Sequence, residues 1–187
     1  MSLEELVLTI YGDPVLRKRS EEVTTFGPVL QPLIDRMFEV MYEEEGVGLA
    51  APQIGVQRRM FVYDVGEGPQ TIINPVINES DGEWGYMEGC LSIPELSFEI
   101  VRPKQVFVTG RDLDGKEITL EADELLARLI QHELDHLDGV LLLDHLDDDE
   151  RKQALKTLRE RYADRELAVP GATGSRTSAV VGGLQLP

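Results

Sequence analysis

His132, Glu133 and His136 spell H-E-x-x-H within Leu125–Gly139, LLARLIQHELDHLDG. On an α-helix, residues four apart share a face one turn apart, so both imidazoles can reach a single metal ion. Glu133 can stand beside that ion without binding it, where a base for an activated water is needed. The pattern is short enough to recur by chance, and on a helix it could be a solvated polar stripe. Two features argue against that. The chain has only three histidines, and two of them lie here. The flanking Leu125, Leu126, Leu129, Ile130, Leu134 and Leu137 mark a largely buried helix, and burying His-Glu-His is costly unless the groups find partners.

Two histidines make an incomplete site. The candidates for a third ligand are Cys90, His145 and the acids. His145 lies nine residues after His136, beyond Gly139, in an acidic setting that reads as exposed surface. Cys90 fits better, because a thiolate binds a borderline-soft divalent ion well. A lone cysteine is usually inert core, but the neighbours Glu88 and Gly89 argue against plain packing. A second unusual stretch is 46–55, GVGLAAPQIG. Gly46, Gly48 and Gly55, with Ala50 and Ala51, let backbone approach backbone or a ligand closely. No Lys-Ser/Thr follows, which argues against a phosphate loop. Gln53 is the side chain there that both donates and accepts.

These residues need a scaffold. The 187 residues allow one domain with a real core, and 42% hydrophobic with 28% charged residues suits a soluble globular protein. No apolar run approaches the ~20 residues that span a membrane. MSLEELVLTI is acidic where a targeting peptide would be basic. A single cysteine rules out an internal disulfide, so the expected location is the cytoplasm. The net charge of −17 disfavours nucleic-acid binding.

Leu30, Leu33, Ile34, Met37, Phe38, Met41 and Tyr42 predict an amphipathic helix over Pro28–Glu44, stopped by Gly46. Pro14 suits the first turn of a short helix containing Val15 and Leu16. Arg59–Val65 and Thr71–Asn78 read as strands, with Pro75 marking an edge or a bulge. Asp114-Gly115 predicts a hairpin between Lys104–Arg111 and Glu117–Leu120. Asp123 should begin the H-E-x-x-H helix and Gly139 end it. Leu141–Leu143 reads as a closing strand. A last helix is expected over 148–166, with acids at its start and six basic residues between 151 and 165. The expected fold class is α+β: antiparallel or mixed β-sheets packed around the central H-E-x-x-H helix, with an N-terminal and a C-terminal helix. One catalytic domain should span 1–166. Residues 167–187, rich in Gly, Ser, Thr and Pro, read as a flexible tail.

GVGLAAPQ at 46–53, EGCLS at 88–92 and QHELDH at 131–136 resemble, in order, the three motifs of the peptide deformylase family. Asp13–Arg17 is also similar to the family, and the resemblance covers roughly 6–160. It implies metal-dependent hydrolysis of the N-formyl group from formyl-methionyl N-termini of nascent polypeptides, releasing formate. It implies Cys90, His132 and His136 as metal ligands and Glu133 as general base and acid. It implies Gln53 and the Leu91 N–H as oxyanion donors, and Gly48 and Gly89 as backbone partners of the substrate. Val47, Glu88, Leu125 and Leu129 would wall the methionine pocket. The implied native metal is Fe(II), with Zn, Ni and Co as replacements. The implied partners are formyl-methionyl peptides and, through the 148–166 helix, the ribosome; neither a membrane nor sequence-specific nucleic acid is implied. Leu96-Ser97-Phe98 departs from the pattern, since some members carry there an Arg that meets the substrate backbone, and nearby Arg102 is not given that role. A zinc endopeptidase shares H-E-x-x-H but usually wants a third His or Glu further along. A metal-stapled binding module without activity would lack Glu133 or Gln53, and both are present.

Overall fold

A computed structural model describes residues 3–166; the expected tail at 167–187 lies outside the described residues. In chain order the main elements are α1 (Gln31–Glu43), β1 (Gly48–Ala50), β2 (Met60–Tyr63), β3 (Gln70–Asp81), β4 (Trp84–Cys90) and β5 (Ile93–Arg102), followed by β6 (Gln105–Arg111), β7 (Glu117–Asp123), α2 (Glu124–Asp138) and α3 (Asp148–Glu166). Five strands form one sheet in the order β1-β2-β3-β6-β7, and β4-β5 form a separate hairpin. All of these strand pairings are antiparallel. The chain is thus α+β, and the H-E-x-x-H helix, α2, sits at its centre.

Strand β2 shows how the layers are built. Side chains alternate along a strand, and all four of its residues are buried. Met60 and Val62 pack with Ile34, Met37, Val40 and Met41 of α1. Phe61 and Tyr63 pack with Ala127, Leu129, Ile130, Leu134 and Leu137 of α2. The sheet therefore carries α1 on one face and α2 on the other, and each fully buried side chain of this size contributes ~1.5–3 kcal/mol. A third cluster joins Cys90, Ile93 and Ile100 of the hairpin to Leu142, Leu143 and, on α3, Ala154 and Leu158. Among the described residues, no helix is long and apolar enough to cross a membrane.

The element ends refine the sequence reading. The left-handed residue closing α1 is Glu45 (φ 56°), not Gly46. The Gly46 N–H donates to Met41 O (2.8 Å) and the Glu45 N–H to Tyr42 O (3.1 Å), the paired bonds of a Schellman end. Glycine at 46 serves close approach instead: a Cβ there would lie 2.7 Å from Leu91 Cδ1. Pro75 marks a bulge, since the β3–β6 register shifts between Ile73 and Val76 and β3 is interior to the sheet. Leu141–Leu143 is not a strand. Leu142–His145 form a 3-10 turn, closed by the Asp144 N–H donating to Leu141 O (2.8 Å) and the Leu141 N–H donating to Asp144 Oδ2 (2.9 Å). Local bonding by Asp144 removes the backbone groups a strand would need.

Asp123 precedes α2 but makes no side-chain cap. The Glu124 N–H is satisfied by Lys104 O at 2.8 Å instead. Gly139 ends the helix in the left-handed region (φ 75°), and a Cβ there would lie 2.7 Å from Arg17 O. Gly139→Ala should therefore cost ~2–4 kcal/mol through left-handed strand and backbone overlap. The expected signature is a lower urea midpoint at unchanged m-value; a parent-like midpoint would contradict this packing. Helix α3 occupies its expected span. Among its described side chains, Arg151 pairs with Asp144 (3.3 Å), Lys156 with Glu160 (3.9 Å) and Arg161 with Glu95 (2.9 Å).

Candidate active site

Helix α2 presents His132 and His136 on its buried face, with ring centroids 5.0 Å apart and planes at 72°. Cys90 arrives from the end of β4. There the hairpin register slips, from Gly89 opposite Ser97 to Cys90 opposite Ile93, and such a bulge re-aims a side chain. The ligand-type atoms of Cys90, His132 and His136 all lie within 4.8 Å of one another, and all three residues are buried. Cys90 Sγ is 3.2 Å from His136 Nε2. His145 lies elsewhere, its Nε2 2.7 Å from Asp135 Oδ2.

His132 Nδ1 is 2.6 Å from Glu88 Oε1. An ionised carboxylate only accepts, so Nδ1 carries the hydrogen and Nε2 is left for an ion. Glu88 is fully buried, and its carboxylate also accepts from Arg102 and Arg128. Glu88 is not among the residues that border the small cavity beside the histidines; apposed guanidinium groups turn its carboxylate toward His132. Arg102 spans Glu88 and Asp135 while almost fully buried, which leaves no free guanidinium for a substrate backbone.

Glu133 is buried, and its Oε2 has no hydrogen-bond partner among the described residues. Burial above all pushes its pKa up to about 7; the Glu88 charge adds to this, and His132 opposes it. Gly48 makes room for it, since a Cβ at 48 would fall 2.5 Å from Glu133 Oε1. A cavity of about 20 Å³ lies here, bordered by Gly46, Val47, Gly48, Gln53, Gly89, Cys90, Leu91, His132 and Glu133. That volume holds roughly one water. Leu125 and Leu129 lie outside this cavity. Leu129 is buried in the α2 cluster, and Leu125 is half-buried in the first turn.

The 3-10 turn Ala51–Ile54 sets Gln53. Its Oε1 accepts from the Ala50 N–H (2.8 Å), while Nε2 donates to Ser92 Oγ (3.2 Å) and approaches Cys90 Sγ (3.9 Å). Ser92 and Arg128 are the site residues that the sequence reading passed over. Ser92 was within reach as the last residue of EGCLS. Arg128 was signalled by a lone charge inside the apolar run LLARLI.

The polypeptide deformylase family model matches residues 6–152. The chain belongs to that family. Peptide deformylase 1 of Clostridium acetobutylicum is 51% identical over 140 residues, 75% of this chain and 93% of that one. The peptide deformylase of Acidothermus cellulolyticus is 46% identical over 153 residues, 82% and 85% of the two chains. A crystal structure of a peptide deformylase from Legionella pneumophila superposes with a TM-score of 0.81 at 39% identity, covering 87% of this chain and 98% of that one. This member of the polypeptide deformylase family is thus an enzyme, a hydrolase with the fold of its relatives.

The family is metal-dependent, and the residues present fit a divalent ion. One soft sulfur and two imidazole donors converge in a buried place, a donor set suited to Zn or Fe(II). Burial alone would lower the His132 pKa, but hydrogen bonds with Cys90 and Glu88 raise it well above its ordinary value. Burial, reinforced by His132, holds His136 well below its ordinary value, as a neutral ligand requires.

Proposed function

We propose that this chain removes the N-formyl group from formyl-methionyl N-termini of nascent polypeptides, releasing formate. The observation that carries this reading is the convergence of Cys90, His132 and His136 within 4.8 Å of one another, beside a cavity of about 20 Å³ that Cys90, His132, Glu133 and Gln53 border. Cys90, His132 and His136 would hold one divalent ion, Fe(II) as the native metal, with Zn, Ni or Co as substitutes. When bound, such an ion supplies Lewis acidity, drawing the pKa of a water from about 15.7 towards ~7.

The remaining work belongs to the chain. Glu133, with its pKa raised to about 7, takes the water's proton near neutral pH and passes it to the departing amine. Gln53 Nε2 and the Leu91 N–H donate to the tetrahedral oxyanion, and one such donor is worth ~3–4 kcal/mol. The Ala50 N–H and Ser92 hydroxyl hold the Gln53 amide in place, so little reorganisation is needed as charge develops. Gly48 and Gly89 leave room for an extended peptide to pair along the backbone. Val47, Leu125 and Leu129 form the methionine side-chain pocket. The reaction takes place in the cytoplasm, and the 148–166 helix docks at the ribosome through its basic residues.

The test is a formate assay on formyl-Met-Ala-Ser with anaerobically purified protein. Formate release should stop on chelation and return with Fe(II). Equal release before and after complete metal removal would refute the metal-centred reading.

A further inference from the structure

We propose that Arg128 is a positioning residue for His132, acting through Glu88; this rests on the metal-site reading above. Arg128 heads the largest fully buried side chains, at 1% exposure. It sits on α2 one turn before His132, on the same face. Its Nη1 donates to Glu88 Oε2 (2.7 Å) and Ile100 O (3.0 Å), and its Nη2 donates to Trp84 O (2.5 Å). Its guanidinium carbon lies 5.1 Å from the Trp84 ring centroid and 5.7 Å from that of Tyr86.

Stability alone is weak ground for such a residue, because well-packed apolar side chains often replace buried ion pairs without loss. The geometry supplies a better reason. A carboxylate offers about four lone-pair sites. Glu88 Oε1 accepts from Arg102 Nη2 (2.7 Å) and faces His132 Nδ1 (2.6 Å). Oε2 accepts from Arg102 Nε (2.9 Å) and Arg128 Nη1 (2.7 Å). With every site taken, the carboxylate cannot turn without breaking a charged bond, so the His132 ring is fixed in tautomer and tilt.

Arg102 sets the plane of that carboxylate, but its other arm is tethered to the partly exposed Asp135 (2.9 Å). Arg128 is anchored differently. It rises from the helix that carries both histidines and bonds to backbone on β4, the strand that carries Cys90, and on β5. One side chain thus links the two elements that supply the three ligands and fixes the hydrogen-bond acceptor of one of them.

The test measures Co(II) binding by chelator competition and by cobalt–thiolate absorption, with circular dichroism to confirm folding. Arg128→Met keeps the stem and removes the donors; it should weaken Co(II) binding by ~10–100-fold. It should also lower kcat for the formylated peptide with KM little changed. Arg128→Lys keeps the charge and should fall between Arg128→Met and the parent. A folded Arg128→Met that binds Co(II) as tightly as the parent would overturn the proposal, whatever its Tm. If Arg128→Met does not fold, Arg128→Lys decides: weakened Co(II) binding supports the role, and parent-like binding refutes it. Failure of the parent itself to bind Co(II) would instead overturn the metal-site reading.

Discussion

Glu133→Ala should lose ~10²–10⁴-fold in the rate of formate release while retaining its metal. The side chain is buried beside a one-water cavity, and one of its oxygens has no hydrogen-bond partner among the described residues. The other bases nearby, His132 and His136, are assigned to the ion, so no neighbour can take over the proton transfer. Stability gives an independent control. Burial raises the Glu133 pKa to about 7, so the folded state holds a proton that the unfolded chain releases in the ordinary carboxylate range. Ionised Glu133 therefore costs stability as pH rises from that range towards 7. Activity lost through unfolding would come with a lower Tm. The expected result is lost activity with retained metal and, in the metal-free proteins, a Tm at pH 7 no lower than the parent's. Residual activity within a few-fold of the parent would remove Glu133 from the reaction.

Glu88→Ala should have the largest effect on stability, ~3–5 kcal/mol, because it leaves buried cations without their counter-ion. Arg102 would keep Asp135, but Arg128 would keep only carbonyl acceptors. His132 would lose the acceptor that orients it. Burial by itself would raise the Glu88 pKa, but hydrogen bonds with His132 and Arg102 outweigh it and hold the group well below the ordinary carboxylate range. The sign follows from that depression: the stability it contributes is present above the ordinary range and is lost as pH falls through the depressed value. Urea midpoints at pH 7, with metal content after dialysis, check both effects. A parent-like midpoint with full metal content would contradict the role given to Glu88.

How much of this was legible in the sequence depends on the range of the interactions. The helices were readable because their apolar periodicity is local: Leu30 to Tyr42 marked α1, and the flanks of H-E-x-x-H marked α2. The metal-capable cluster of Cys90, His132 and His136 was readable because its residue types are rare in this chain. The Glu88 network was not, because its bonds reach across 14 residues to Arg102, 40 to Arg128 and 44 to His132. No local pattern reports which carboxylate meets which guanidinium. Leu141–Leu143 misled for the opposite reason. Its apolarity is real and buried, but the hydrogen bonds of Asp144 bend it into a turn.

The central claim is that these residues cleave a formamide, not an internal peptide bond. The most direct measurement incubates the Fe(II)-loaded protein with formyl-Met-Ala-Ser and follows formate and the free N-terminal amine together. Both are expected in equal amounts, with the Met-Ala-Ser peptide intact. Cleavage within the peptide with the formyl group retained would contradict it.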